Sequence, residues 1–117
     1  MSADSGTPPA QGWPELDLTQ MAEQAGRAAA LLKVLANENR LLILCNLVGR
    51  ELSVGEILTK IPLSQSALSQ HLALLREEGL VSTRREAQVI YYSLADARAS
   101  QLIELLHRMF CQPSAAD

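Results

Sequence analysis

The chain has 117 residues, 48% hydrophobic, with a formal net charge of −3. That is one domain by length, too apolar for a disordered protein and without the roughly 18-residue apolar run of a membrane span. The net acidity gives no support to nucleic-acid binding by itself, so charge distribution has to be followed along the chain.

Residues 1–14 are rich in Ser, Gly and Pro and read as a disordered tail. They carry neither the basic nor the apolar region of a secretory signal, so a cytoplasmic protein is expected. Good helix formers fill Leu16–Ala36. Met21, Ala25, Ala28, Leu32 and Leu35 recur at spacings of four and three, so they share one face. Asn37 caps a second helix, Glu38–Val48, ahead of Gly49. Its RLLILCNLV run is apolar almost all round, which places it in the core.

Ser53 and Glu56 form a capping box that opens a short third helix, Val54–Lys60, and Pro62 ends it. Ser64 then caps a fourth, Gln65–Glu78, closed by Gly79. Two helices joined by a short turn make a helix-turn-helix. Leu80–Arg85 and Val89–Leu94 are rich in strand formers and read as a hairpin around Glu86-Ala87-Gln88. A last helix, Ala95–Phe110, precedes a tail at 112–117. The order α-α-α-α-β-β-α is mainly helical with a small β-hairpin: a winged helix-turn-helix domain over residues 15–111.

In the fourth helix Leu68, Leu72 and Leu75 face the core. Gln65, Ser66, Ser69, Gln70 and Ala73 are left outside. Amides and hydroxyls in the first turns suit a helix that enters the major groove of DNA. The free N–H groups behind Ser64 suit a phosphate. The hairpin adds Arg84, Arg85 and Gln88 near the flanking backbone or the minor groove. The acidity lies elsewhere: Met1–Ala36 holds four acids and two bases, Ser64–Leu94 three of each. Loss of DNA affinity with rising salt distinguishes this reading from a protein-binding module.

On the last helix Leu102, Leu105, Leu106 and Met109 form a stripe that Ile103 and Phe110 widen. So broad a face calls for a second copy, most simply a two-fold homodimer. No nucleophile motif, P-loop or GxGxxG is present. An enzyme is therefore not expected, and neither catalytic residues nor a cofactor are assigned.

Four segments carry a family resemblance: LKVLANENRLLILCNL, ELSVGEI, LSQSALSQHLALLREEGLV and RREAQVIYYSL. Together they resemble the ArsR (SmtB/ArsR) family of bacterial repressors over roughly Ala25–Met109. The resemblance implies a homodimer built from the first and last helices. That assigns Met21, Ala25, Ala28 and Leu32 to the interface together with the last-helix stripe. It also implies a two-fold symmetric operator, released when an inducer binds. His71 falls on the family's S-x-H-L segment and joins Ser64, Gln65, Ser66, Ser69 and Gln70 in the DNA-facing set.

The metal sites of the family are not matched. Where many members have a C-V-C-type motif, this chain has Ser53-Val54-Gly55, and hydroxyl and glycine do not replace thiolates for a soft metal. Asp96, Glu104 and His107 on the last helix fall short of a four-coordinate set, with Glu104 and His107 expected to form a surface pair. No metal is expected. A metal-responsive repressor of the same fold stays the second reading.

The two cysteines, Cys45 and Cys111, lie far apart and outside any CxxC. On chemistry alone they read as a buried apolar residue and an incidental terminal one. The resemblance reads them differently. A sulfide- and persulfide-responsive branch of the family, which includes BigR, SqrR and YgaV, has cysteines at both places. By that likeness reactive sulfur species are the inducer, and Cys45 and Cys111 become joined as a disulfide or polysulfide.

Overall fold

The computed structural model describes residues 17–111, so the tails expected at 1–14 and 112–117 lie outside the described residues. The elements are α1 (Leu18–Leu35), α2 (Glu38–Asn46), β1 (Leu52–Ser53), α3 (Val54–Leu58), α4 (Gln65–Glu77), β2 (Val81–Glu86), β3 (Val89–Leu94) and α5 (Ala97–Phe110). The chain divides into two compact units between Ala30 and Leu31. Residues 17–30 of the first are exposed throughout, Met21, Ala25 and Ala28 among them. The second unit holds the rest.

Each helix starts where a polar side chain satisfies orphan backbone donors. Asn37 Oδ1 accepts from the N–H groups of Asn39 and Arg40, both at 3.0 Å. Ser53 and Glu56 close the expected capping box: Glu56 N–H donates to Ser53 Oγ at 3.2 Å, and Ser53 N–H to Glu56 Oε1 at 2.8 Å. Ser64 Oγ accepts from Ala67 N–H at 3.1 Å. Asp96 caps α5 through Arg98 N–H at 2.8 Å, so that helix begins at Ala97 and not at Ala95.

α4 ends in a Schellman motif: Leu80 N–H reaches Leu75 O at 2.9 Å and Gly79 N–H reaches Arg76 O at 3.0 Å. Gly79 takes φ +79°, which a side chain would disfavour. The buried pair Leu75 and Leu80 clasps the motif from beneath. α2 and α3 stop earlier than expected, at Asn46 and Leu58, because their last turns loosen into i→i+3 bonds such as Leu47 N–H to Leu44 O and Lys60 N–H to Ile57 O.

The sheet has three strands in the order β1-β3-β2, all antiparallel. β1 has no counterpart in the sequence reading. It is two residues long, Ser53 doubles as the cap of α3, and only the pairing of Leu52 with Tyr92 and Ser53 with Tyr91 makes it a strand. The hairpin register pairs Thr83 with Tyr92, Arg84 with Tyr91 and Arg85 with Ile90. Ala87 turns the hairpin at φ +57°, in the left-handed region. Replacing Ala87 with glycine relieves that conformation, and we expect a gain of at most about 1 kcal/mol in urea denaturation.

The core of the second unit joins Ile43 and Leu44 of α2 with Leu47 at its C-cap, Ile57 of α3, Leu68, Leu72 and Leu75 of α4, and Ala99 and Ile103 of α5. α2 is not enclosed all round, for Leu42 is 43% exposed. On α5 the broad apolar face divides. Ile103 belongs to the core and Leu102 packs against it, while Leu105, Met109 and Phe110 face outward. Ile103 therefore does not widen an external stripe, as its spacing alone implied. No helix among the described residues is long and apolar enough to cross a membrane.

Candidate functional site

Two surfaces carry chemistry. The first is built on α4. With Leu68, Leu72 and Leu75 fully in the core, Gln65, Ser66, Ser69, Gln70 and Ala73 are all exposed. His71 is half-buried beside them. Ser64 is exposed but its Oγ is already engaged with Ala67 N–H and lies 3.3 Å from Ser66 Oγ. It shapes the start of the helix, and the N–H groups of the first turn are what it leaves for an anion.

The hairpin separates the two arginines that the sequence set side by side. Neighbours along a strand point to opposite faces. Arg85 shares a face with Thr83 and the core residue Val81, and with their partners Ile90, Tyr92 and Leu94. Its Nε donates to Ala87 O at 3.3 Å, and its side chain is exposed. Arg84 lies on the other face. Its Nε donates to Glu51 Oε1 at 3.0 Å, its Nη1 to Glu86 Oε1 at 2.9 Å, and its guanidinium stacks 4.8 Å from the Tyr91 ring centroid. The guanidinium beside Glu51 holds that carboxyl below the usual carboxylate range. Arg84 is thus a strut between the hairpin and the residue before β1. The sequence assigned Glu51 no role; only the folded sheet brings it to Arg84. Gln88 is exposed in the hairpin turn.

From this geometry we expect Arg85→Ala to make the salt dependence of DNA affinity shallower by about one contact per subunit. Arg84→Ala should leave that slope unchanged. Fluorescence anisotropy on duplex DNA across a salt series checks both.

The second surface is the thiol pair. Cys45 is half-buried on α2, and Cys111 is exposed at the C-cap of α5. Both are free thiols. α2 and α5 pack together, and both cysteines line one groove of about 380 Å³ with Leu41, Leu42, Ile103, Leu106, Phe110, Glu38 and His107. Burial pushes the Cys45 thiol up from its ordinary pKa, and the nearby Cys111 pushes it further the same way. Cys45 also borders a hollow of about 260 Å³ with Val48, Ile103, Glu104, His107 and Arg108.

Glu104 and His107 border that hollow without forming the surface pair expected of them. Glu104 Oε2 accepts instead from Ser100 Oγ at 3.3 Å. Ser53, in the family's metal-motif position, is spent on helix capping. Among the described residues no three His, Cys, Asp or Glu side chains converge as a metal site would need. Of the expected interface residues, Leu32, Leu105 and Met109 are 55%, 44% and 62% exposed, and Leu102 and Leu106 are half-buried.

A helix-turn-helix with a polar outward helix, followed by a paired hairpin, defines a winged-helix DNA-binding protein. The comparisons with known proteins agree. The family model described as bacterial regulatory protein, arsR family, matches residues 37–83. The transcriptional activator HlyU of Vibrio cholerae is 54% identical over 97 residues, which cover 83% of this chain and 90% of HlyU. The structure of reduced HlyU from that organism superposes with a TM-score of 0.78 at 55% identity, over 81% of this chain and all of the other. The biofilm growth-associated repressor of Agrobacterium fabrum is 48% identical over 99 residues, 85% of each chain. The structure of the transcriptional repressor BigR from Xylella fastidiosa gives a TM-score of 0.73 at 42% identity, over 83% of this chain and 98% of that one. The chain belongs to the ArsR family of winged-helix transcriptional regulators.

Proposed function

We propose that this chain is a homodimeric, cytoplasmic repressor, not an enzyme, that leaves a two-fold symmetric operator when reactive sulfur species join Cys45 to Cys111. The observation that carries this reading is the shared groove. Two cysteines far apart in sequence line one mostly apolar recess between α2 and α5.

The chemistry balances in two steps. One cysteine thiolate attacks the outer sulfur of a low-molecular-weight persulfide, giving a protein persulfide and releasing the carrier thiolate. The other cysteine thiolate then attacks the inner sulfur of that persulfide. An Sγ–Sγ bond forms and hydrosulfide leaves. Two thiols are oxidised and the sulfane sulfur is reduced to sulfide. Uptake of a further sulfur atom from a second persulfide before closure gives a polysulfide bridge.

A bridge ties the end of α5 to α2. The outward residues Leu105 and Met109 of the same helix are those a partner chain would cover, so a bend or shift of α5 alters how two subunits meet. The recognition helices must sit about 34 Å apart to reach successive half-sites, and a changed dimer geometry loses one of them. The relatives include proteins named as activator and as repressor. Repression is our choice because release from DNA is what a bridged dimer achieves directly.

The test is binding of the reduced protein to its own promoter DNA, repeated after treatment with glutathione persulfide, with mass spectrometry of the Cys45 and Cys111 peptides. Loss of binding with a bridged mass, restored by reductant, supports the proposal. Unchanged binding by a bridged protein refutes it. Because the Cys45 thiol is held high, its alkylation rate should keep rising with pH beyond the range where an ordinary free thiol levels off.

A further inference from the structure

Ser66, Ser69, Ala73 and Arg76 stand at i, i+3, i+7 and i+10 on α4 and so form one stripe along the helix. All four are exposed. The far end of the stripe opens into a groove of about 470 Å³ between α4 and the hairpin, lined by Ser69, Ala73, Arg76, Glu77 and Tyr92. Arg76 forms no ion pair among the described residues, unlike Arg84 and Arg98. Tyr92 comes from β3, on the same sheet face as Arg85.

We propose that this groove seats one DNA backbone strand. Arg76 serves as the phosphate anchor, and the Tyr92 hydroxyl and Ser69 are neutral donors beside it. The inference rests on the reading of the chain as an operator-binding protein, and it adds residues that reading did not assign.

The composition of the stripe explains the division of labour. Two serines and an alanine let a backbone approach the helix closely, because none projects far enough to hold it off. A long cation, Arg76, follows on the same stripe and lines the groove, and guanidinium geometry suits phosphate oxygens. Glu77 lines the same groove, and its carboxylate repels a phosphate, so the strand must run on the Arg76 side. Arg85 shares the face of Tyr92, which extends the cationic path from the groove out along the hairpin. Phosphate contacts of this kind set register and orientation without reading bases. They bring the amides of Gln65 and Gln70 to the groove floor.

The experiment is a salt titration of binding to the promoter duplex and to a random-sequence duplex. It uses the full reduced chain and the variants Arg76→Ala, Arg76→Lys and Tyr92→Phe. Arg76→Ala is expected to make the slope of log K against log salt shallower by about two per dimer, one for each subunit. Its affinity should fall by the same factor on both duplexes. Arg76→Lys keeps the charge and should keep the slope. Tyr92→Phe should weaken binding with the slope unchanged, since it removes a donor and no charge.

An unchanged slope for Arg76→Ala overturns the proposal. So does a loss confined to the promoter duplex, which would make Arg76 a base reader, and so does an Arg76→Lys protein as impaired as Arg76→Ala. If the wild-type chain binds neither duplex, the DNA reading itself falls and this inference with it. Urea denaturation of each variant separates a folding defect from a lost contact, and the lysine variant retains the charge test if alanine unfolds.

Discussion

Persulfide treatment should lower the affinity of the wild-type protein for its operator by roughly 10- to 100-fold and leave Cys45→Ser bound. The magnitude follows from the size of coupling free energies between sites, about 1–3 kcal/mol. The reasoning runs through the groove of α2 and α5. Cys45 is the half-buried member, attached to a helix whose Ile43 and Leu44, with the C-cap Leu47, are locked in the core. Cys111 lies at the exposed end of α5. A bridge therefore moves the end of α5 more readily than it moves α2.

A covalent change shifts a conformational balance only if it favours one state over another. The fixed end at Cys45 and the freer end at Cys111 provide that asymmetry. Cys111→Ser should behave like Cys45→Ser in the DNA assay, since either change removes one end of the bridge. The two differ in mass spectrometry. Each keeps one cysteine, which should stop at a persulfide with no partner to close on. Electrophoretic mobility shift with and without persulfide, read beside peptide masses, checks all of this. A Cys45→Ser protein that still leaves DNA on treatment would end the thiol-switch reading and leave the winged-helix regulator intact.

The second large effect separates two neighbours on α5. Ile103→Ala removes a side chain that is 1% exposed and packs into the core of the second unit. A large-to-small change at such a site costs about 2–5 kcal/mol, from lost transfer energy and the cavity left behind. Urea denaturation should show the midpoint falling at every protein concentration.

Leu105→Ala, two residues on, removes a side chain that is 44% exposed. It should leave the core intact and weaken the proposed dimer by roughly tenfold or more, since covering a leucine contributes about 1.5–3 kcal/mol. Its thermal midpoint should then fall mainly at low concentration, because subunit association stabilises by mass action. Sedimentation equilibrium of both variants decides the matter. Equal dimerisation of Leu105→Ala and the wild type would show that this face is not the interface.

Much of the fold is written in local chemistry. Asn37, Ser53, Ser64 and Gly79 mark helix ends because each satisfies backbone groups or a backbone angle within a few residues of itself. Leu68, Leu72 and Leu75 declare the inner face of α4 by spacing, which leaves Gln65, Ser66, Ser69 and Gln70 outside. Such signals need no partner from elsewhere in the chain, so the helix-turn-helix and its polar reading face follow from the sequence alone.

What depends on distant partners was decided by the tertiary structure. β1 exists because Leu52 and Ser53 meet Tyr92 and Tyr91. Arg84 and Arg85 are alike in sequence, but the pleat sends them to opposite faces, and only there does Arg84 find Glu51. Ile103 joined an apparent external stripe by its spacing and belongs to the core, because a helix packed on one side of a domain divides its apolar face between inside and outside. Cys45 and Cys111 are two isolated thiols until α2 and α5 close one groove around them. Helical period and capping act over a few residues and are legible in order; strand pairing, ion pairing and a shared groove are long-range contacts, and folding alone creates them.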